Sequence, residues 1–243
     1  MSILAHGLRA AAGNAGDEGN GVSYNSFYTI ADNTSATKTF ASVDIGTPNA
    51  DRYVIVTLQW VNGGGVTTLN SATINGVSAS VIQSSASTFT SAHGAFFAKV
   101  PTGTSVTIQA NLSGTTFSGY SENIAVYTFN TPSVSFELTK SNRAFNVNSV
   151  DLTGYDTENP TVQTPIINVA TNEFLVSNVT INGVREDISV DELTEDTYQT
   201  NANGTNFYAS YTNNTASSQL IAPTFSWGGG ALNALASAYK FSY

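Results

Sequence analysis

The chain has 243 residues, of which only 10% are charged, and its 17 acidic residues against 8 basic residues give a net charge of −9. No basic cluster is present that could neutralise a row of phosphates, which argues against nucleic acid as a partner. The chain also has no cysteine and only two histidines, so a disulfide framework, a cysteine zinc site and a paired-histidine motif such as H-E-x-x-H are excluded.

Residues 1–21 are predicted to form an N-terminal arm. The segment, MSILAHGLRAAAGNAGDEGNG, is rich in Gly and Ala and has too few apolar residues ahead of His6 for the core of a signal peptide. The chain also lacks a run of about 18 apolar residues. These features predict a soluble protein made in the cytoplasm, with no membrane partner. The side chains of the arm that we expect to contact a partner subunit are Ile3, Leu4, Leu8 and Arg9.

From residue 22 onward, apolar and polar residues alternate in short segments that turn-forming clusters separate. Alternation with period two is the pattern of a half-buried strand, and strands spaced about 8–12 residues apart are typical of sandwiches and barrels. The sequence therefore predicts an all-β fold, an antiparallel β-sandwich or jelly-roll with very little helix. The clearest segments are RYVIVTLQW, SATINGVSASVI, GAFFAKV, SVTIQANL, ENIAVYTF, EFLVSNVTI, NFYASY and LASAYKF.

The chain also resembles itself, which indicates two tandem or duplicated halves, residues 22–131 and 132–243. GAFFAKV followed by GYSENIAVYTF is echoed by TNFYASY followed by ALNALASAYKF. Chance similarity between strands of similar composition is the alternative, because period-two patterns converge easily. The aromatic residues that correspond are Phe96 and Phe207, Phe97 and Tyr208, Tyr127 and Tyr239, and Phe129 and Phe241.

The segment VDIGTPNADRYVIV, residues 43–56, places Asp44, Asp51 and Arg52 around a Gly-Pro-Asn turn. Two carboxylates can be catalytic when they share a pocket, but an aspartic protease turn needs Ser or Thr where Ile45 stands. Asp and Arg at the mouth of a strand can also pair or cap the turn at little cost in free energy. We interpret the segment as a turn whose exit is held by Asp51 and Arg52.

The segment EDISVDELTED, residues 186–196, holds six of the 17 acidic residues. Its spacing lacks the alternating Asp or Asn and the glycine of a calcium loop. A solvated face is therefore the favoured interpretation, and no metal or other cofactor is predicted. The alternatives are an acidic docking patch for a basic partner and a weak cation site whose first ligands are Asp187 and Asp191.

Catalytic motifs are missing from the sequence. His93 lies in TSAHGAFF, which predicts a loop entering a strand, and neither a G-x-S-x-G elbow nor a phosphate-binding glycine loop accompanies it. We therefore predict that the protein is not an enzyme.

Trp60 and Trp227 are each followed closely by three glycines. An aromatic ring beside a bare backbone turn can stack on a flat sugar ring, which makes the two tryptophans candidate glycan contacts. A tryptophan that closes the end of a sandwich is the equal alternative.

The segments FASVDIGTPNADRYVIV, SATINGVSASVI, GAFFAKVPTGTSVTI and IAVYTF resemble a family of largely uncharacterised proteins encoded by tailed bacteriophages and prophages. The shared pattern is a strand ending in Val-Asp-Ile-Gly, a short loop, Arg-Tyr with a β-branched run, a hairpin and a Val-Pro-Thr-Gly turn. Asn75 stands where that hairpin has its first glycine in the family, which a tight turn with positive φ tolerates. The resemblance is closest over residues 40–130.

The resemblance implies a virion or virion-associated protein and no reaction. Because the negative charge argues against a position facing DNA, we expect the outer surface of the virion, after assembly in the host cytoplasm. The leading hypothesis is a capsid decoration (cement) protein that bridges major capsid proteins through its arm and its strand edges, and that binds copies of itself, possibly as a trimer. The alternative is a tail or fibre module that binds host glycans.

Overall fold

The structure, a computed structural model, describes residues 22–31, 35–61, 67–83, 91–114, 121–132, 134–145, 149–151, 167–182, 189–201, 204–213, 215–221, 223–226 and 233–242. Over these residues the protein is all-β and has no helix, which confirms the predicted fold class. The described strands are β1 (Ser23–Ala31), β2 (Thr37–Asp44), β3 (Arg52–Val61), β4 (Leu69–Ile74), β5 (Val77–Gln83), β6 (Ser91–Lys99), β7 (Ser105–Leu112), β8 (Ser121–Asn130), β9 (Ser135–Phe145), β10 (Ser149–Asp151), β11 (Ile167–Val169), β12 (Glu173–Asn182), β13 (Ser189–Asp191), β14 (Thr194–Asn201), β15 (Gly204–Thr212), β16 (Gln219–Ile221), β17 (Thr224–Ser226) and β18 (Asn233–Ser242).

Strands β1 to β8, here called the first half, form one eight-stranded antiparallel sheet in the order β1-β8-β3-β6-β5-β4-β7-β2. The sheet curls into a nearly closed barrel, because its edge strands β1 and β2 meet. Tyr28 bridges the two edges: its hydroxyl accepts from the backbone N–H of Asp44 at 2.8 Å and donates to the carbonyl of Ser42 at 3.2 Å. Large apolar side chains fill the interior, among them Phe40, Val54, Val56, Leu58, Trp60, Phe96, Ile108, Ile124 and Val126.

Strands β9 to β18, here called the second half, form a five-stranded sheet, β14-β15-β12-β18-β9, and two small sheets, β10-β17-β13 and β11-β16. The five-stranded sheet repeats the strand order of the first half, with β9, β18, β12, β15 and β14 in the places of β1, β8, β3, β6 and β5. Duplication of a half stays a prediction. The core of the second half is built from Ile167, Val169, Leu175, Val179, Phe207, Ala209, Ile221, Ala236 and Ala238.

The register of the two halves agrees with only part of the repeat seen in the sequence. Ile55 of β3 is opposite Phe97 and Tyr127. The segment TNEFLVS, residues 171–177, resembles ADRYVIV, residues 50–56, and places Val176 where Ile55 stands. Val176 of β12 is opposite Tyr239, the counterpart of Tyr127, but on β15 it is opposite Ser210, two residues beyond Tyr208. A shift of two residues keeps every side chain on its own face of the sheet, so the displaced strand still buries its apolar side chains.

The two halves pack face to face, and we call the contact between β8, β3 and β6 of the first half and β14, β15, β12 and β18 of the second the joint. One end of the joint is aromatic: Phe129 stacks on Phe174 with ring centroids 4.8 Å apart, and Phe174 stacks on Phe241 at 5.1 Å. Phe97 meets the edge of Phe241 at 5.9 Å. Because β3 is covered by the barrel core on one face and by the joint on the other, it is buried along nearly its whole length.

Candidate functional site

Arg52, the first residue of β3, is the centre of the turn region that the sequence singles out. Its side chain is buried, with 1% of the residue exposed, and its guanidinium group donates hydrogen bonds to five backbone carbonyls. Nε bonds to Val100 at 2.9 Å, Nη1 bonds to Ile45 at 3.2 Å and Gly46 at 2.8 Å, and Nη2 bonds to Thr102 at 2.9 Å and Gly103 at 2.7 Å. We call this arrangement the clasp.

The clasp joins two turns that are shaped to receive it. Gly46 and Gly103 have φ angles of 71° and 80°, a left-handed conformation that glycine adopts without the strain of a side chain. The carboxylate of Asp44 accepts a hydrogen bond from the N–H of Gly46 at 2.8 Å, which closes the first turn. The pKa of Arg52 is lowered by burial, and the charge of Asp44 acts in the opposite direction.

Asp51 does not pair with Arg52. Its carboxylate forms an ion pair with Lys99 at 2.7 Å, and both side chains are well exposed. Asp44 and Asp51 therefore serve separate structural contacts. The interpretation of the segment as a turn holds, and Asp51 and Arg52 act at its exit through different partners: Lys99 for Asp51, and backbone carbonyls for Arg52.

The other end of the joint, opposite its aromatic end, is polar. His93 Nε2 lies 2.8 Å from the hydroxyl of Thr180, and Nδ1 lies 3.2 Å from the hydroxyl of Ser237. Within the first half, Asn123 donates to the side chain of Gln59 at 2.8 Å. The two contacts of His93 tie β6 of the first half to β12 and β18 of the second.

His93 lies inside β6 and is fully buried, so the prediction that it sits on a loop is wrong. His93 and Gly94 interrupt the apolar run, which is why the sequence pattern predicts a loop there. Both residues instead belong to an interior strand of the first-half sheet, and the second half packs over His93. Burial lowers the pKa of His93 to about 3, so the ring is neutral at physiological pH. A neutral imidazole that solvent does not reach serves as a structural hydrogen-bonding group and not as a general base.

Asp196 is the second ionisable group of the joint. Tyr127 of the first half donates to its Oδ2 at 3.0 Å, and Ser210 of the second half donates to its Oδ1 at 3.0 Å. Burial raises the pKa of Asp196 to about 7; the two hydroxyl hydrogen bonds act against this shift, and the nearby charge of Glu195 adds to it. Asp196 therefore titrates near neutrality in the folded protein.

The acidic segment is solvated only in part. Asp191, Glu192 and Glu195 are exposed, as a solvated face requires, whereas only 8% of Asp196 is exposed. Among the described residues no group of three or more potential ligands could hold a metal ion. Asp187 lies outside the described residues, so its predicted role as a ligand beside Asp191 stays a prediction.

Trp60 is buried in the barrel of the first half with no exposed surface. Its Nε1 donates to the hydroxyl of Thr67 at 2.6 Å, and a Cβ built on Gly94 would lie 3.2 Å from the tryptophan ring. The prediction that Trp60 contacts a glycan is therefore wrong, because no face of its ring is open to a sugar. Trp227 lies outside the described residues, as do the arm residues Ile3, Leu4, Leu8 and Arg9.

A buried ion pair inside the first half was not predicted. Lys38 Nζ lies 2.7 Å from Glu122 Oε1, and the two side chains are 0% and 1% exposed. Lys38 lies two residues before the buried Phe40, and Glu122 lies two residues before the buried Ile124. In a strand, residues two apart are on the same face, so both charged side chains point into the barrel. The period-two pattern of the two strands could therefore have indicated that Lys38 and Glu122 are buried, but charged residues are normally assigned to the solvent face.

No protein-family model and no curated protein gives a significant match to the chain. Among solved structures, the chain is similar to a conserved protein of unknown function from Pseudomonas aeruginosa PAO1, with 14% identity over 96% of this chain and 87% of that one, and a TM-score of 0.36. It is also similar to HutD from Pseudomonas fluorescens SBW25, with 11% identity over 93% and 84% of the two chains and a TM-score of 0.27. Likeness at these TM-scores supports no argument about function. Separately, the described residues form no helix capable of spanning a membrane.

Proposed function

We propose that the protein is a non-enzymatic structural component of a tailed bacteriophage particle, and specifically a capsid decoration protein. The observation that carries the proposal is the clasp at Arg52, because it joins the Val-Asp-Ile-Gly and Val-Pro-Thr-Gly turns through which the sequence resembles proteins of tailed phages and prophages. A motif whose arginine binds backbone carbonyls specifies a fold and its loops. The resemblance to proteins of tailed phages therefore concerns the fold and its loops. Proteins with this pattern are expected in the virion, which supports a virion role for this chain.

The ionisable groups of the joint support a structural role. His93 and Asp196 are both buried between the halves, and each is bonded to hydroxyl groups of neighbouring strands. A particle protein has to stay folded outside the cell, where nothing refolds it, and an extensive joint with internal hydrogen bonds raises the barrier to unfolding. The acidic surface, with a net charge of −9, favours the outer face of a DNA-filled capsid.

The clasp also presents a surface suited to a partner. Residues 47–50 and 101–105 are exposed, and the loops that contain them are held by the buried guanidinium of Arg52. Loops that are already ordered lose little conformational entropy on binding. We propose the major capsid protein and other copies of this chain as partners of these loops and of the N-terminal arm.

Occupancy of purified particles tests the proposal. Hundreds of copies per virion, measured by quantitative mass spectrometry, are expected for a decoration protein, whereas a few copies would assign the chain to the tail and absence from the particle would refute the proposal. Deleting residues 1–20 is expected to lower occupancy, and undiminished occupancy would exclude the arm as a contact. The glycan-binding alternative has lost one of its two tryptophans, because Trp60 is buried.

A pair of variants separates docking from folding at the clasp loops. Asp44→Asn retains an oxygen that can accept from Gly46, and Asp51→Asn weakens only the exposed ion pair with Lys99. If these loops dock on the capsid, the double variant should keep its thermal stability and lose occupancy. Unchanged occupancy would restrict the two carboxylates to turn formation, and Lys99→Gln serves as the matched control for loss of the ion pair.

A further inference from the structure

The side chains that meet in the joint are arranged in rows across the two sheets. In the first half, Thr57 of β3 lies between Ala125 and Ala95 on the neighbouring strands. In the second half, Asn178 of β12 lies between Tyr208 and Ser237. We call these six residues the middle row.

The two halves of the middle row face each other. The contact of Phe129 with Phe174 fixes the alignment of the sheets on one side, and the contact of His93 with Thr180 fixes it on the other. On β3, Tyr53 is opposite Phe129 and Gln59 is opposite His93, so Thr57 lies between the two contacts. On β12, Asn178 lies between Phe174 and Thr180. The side chains of Thr57 and Asn178 therefore point into the same layer between the sheets.

Four polar atoms of the middle row are buried and have no hydrogen-bond partner among the described residues: Thr57 Oγ1, Asn178 Oδ1, Asn178 Nδ2 and the hydroxyl oxygen of Tyr208. Buried amides and hydroxyls without a protein partner are unusual in native proteins, where nearly all such groups are paired with protein or water. Ala95 and Ala125, on either side of Thr57, have small side chains.

We infer that the middle row binds ordered water. The hydroxyl of Thr57 and the amide of Asn178 supply both donors and acceptors, and a buried water needs two to four such partners. No charged ligand fits as well, because Thr57, Asn178 and Tyr208 carry no charge and His93 beside them is neutral. Water in the middle row completes a polar layer that continues through His93, Thr180 and Asn206, where Thr180 donates to Asn206 at 2.7 Å. The joint then consists of an aromatic contact at one end and a polar, hydrated layer that extends from the middle row to the other end.

Magnetic resonance of the full-length protein in water tests the inference directly. Long-lived water should give cross-relaxation peaks to the side-chain amide protons of Asn178 and to the methyl protons of Thr57, with the sign expected for a residence time longer than molecular tumbling. Absence of these peaks in a spectrum that shows other buried waters would overturn the inference.

Thr57→Val provides an independent readout whose sign differs between a wet and a dry row. If Thr57 binds water, the variant should lose the water peak at Asn178 and melt about 2–4 °C lower, because the remaining partners of the water lose a hydrogen bond. If the row is dry, the variant should melt higher, because it removes an unpaired buried hydroxyl. Thr180→Val is the matched control: its hydroxyl is already paired with His93 and Asn206, so it should lower the melting temperature in both cases and leave the Asn178 water peak in place.

Discussion

Tyr127 and Asp196 come from different halves of the protein and meet in the joint, where the tyrosine hydroxyl donates to the carboxylate at 3.0 Å. Among the described residues no cation pairs with this carboxylate, which loses hydration on folding and accepts from two hydroxyls. Burial consequently raises the pKa of Asp196 to about 7. The stability of the joint is therefore coupled to pH.

Asp196→Asn should remove this pH dependence. The pKa of Asp196 in the folded protein, about 7, is above its ordinary value of 3.8, so its contribution to stability is complete below about pH 4 and is lost as the pH rises through 7. The loss is roughly 4 kcal/mol at 1.36 kcal/mol per pKa unit. Urea unfolding at pH 5 and pH 8 checks this: the stability of the variant relative to the wild type should rise by about 3 kcal/mol between the two pH values. An equal difference at both pH values would contradict it.

His93→Gln should reveal the opposite slope. The pKa of His93 is lowered from 6.5 to about 3 by burial, so its contribution is complete above pH 6.5 and is lost as the pH falls toward 3. The variant keeps an amide near Nε2 for Thr180 and cannot bind a proton. Compared with the wild type, it should lose less stability between pH 6 and pH 4, as measured by urea unfolding.

The two titrations cancel over a shared interval. Between the ordinary pKa of Asp196, 3.8, and that of His93, 6.5, folding takes up a proton at Asp196 and releases one from His93. The sum of their contributions to the free energy of unfolding therefore does not change with pH in this interval. In each single variant, the pH dependence due to the other residue becomes visible. If both single variants tilted in the same direction, the assignment of at least one of these groups would be wrong.

The alternation of side chains allowed the sequence to predict an all-β chain, but it could not predict which strands would be covered on both faces. In β3, Thr57 and Gln59 occupy the positions that a half-buried strand turns to solvent, and both are buried because the second half covers that face. Alternation describes one sheet at a time, and the joint is a contact between two sheets. The alternation of apolar and polar residues could therefore not predict that Thr57 and Gln59 are buried in a polar layer between two sheets.

Asp196 was hidden by a local irregularity. The register of β14 against β15 shifts between Glu195 and Thr197, and a bulge of this kind changes the face on which the extra residue lies. A run of acidic residues around it favours a solvated strand, and only the bulge directs one carboxylate inward. The Arg52 turn is the contrasting case, because Gly, Pro and Asn signal a turn directly in the sequence.

Arg52→Ala should destabilise the first half strongly. The substitution leaves five carbonyls without their donor, and each acceptor that stays buried costs about 1–3 kcal/mol, so a loss of at least about 3 kcal/mol is expected in urea unfolding. Lys99→Ala is the control, because its ion pair with Asp51 is exposed and should change stability by no more than about 1 kcal/mol. Equal effects of the two variants would show that the clasp is not a major source of stability.

Trp60→Ala should unfold the barrel more readily whether or not any glycan is present. The side chain is fully buried and hydrogen-bonded to Thr67, so truncation should cost about 3–5 kcal/mol. Tyr198, which is 58% exposed, supplies a control: Tyr198→Ala should stay within about 0.5 kcal/mol of the wild type. Acrylamide quenching of a Trp227→Phe variant, which isolates Trp60, should be weak in the folded protein, and strong quenching would contradict its burial.

The Lys38–Glu122 pair predicts that two substitutions together are milder than one. Lys38→Met leaves the carboxylate of Glu122 buried without its cation, which should cost about 3–5 kcal/mol, whereas adding Glu122→Leu removes both charges and should recover most of the loss. The recovery follows from geometry, because both side chains are 1% exposed or less and lie in an apolar barrel. Unfolding free energies of the wild type, both single variants and the double variant give the coupling between the two residues. Additive losses would mean that each charge is stabilised by other neighbours, and the pair would then not be the contact that makes the two buried charges tolerable in the barrel.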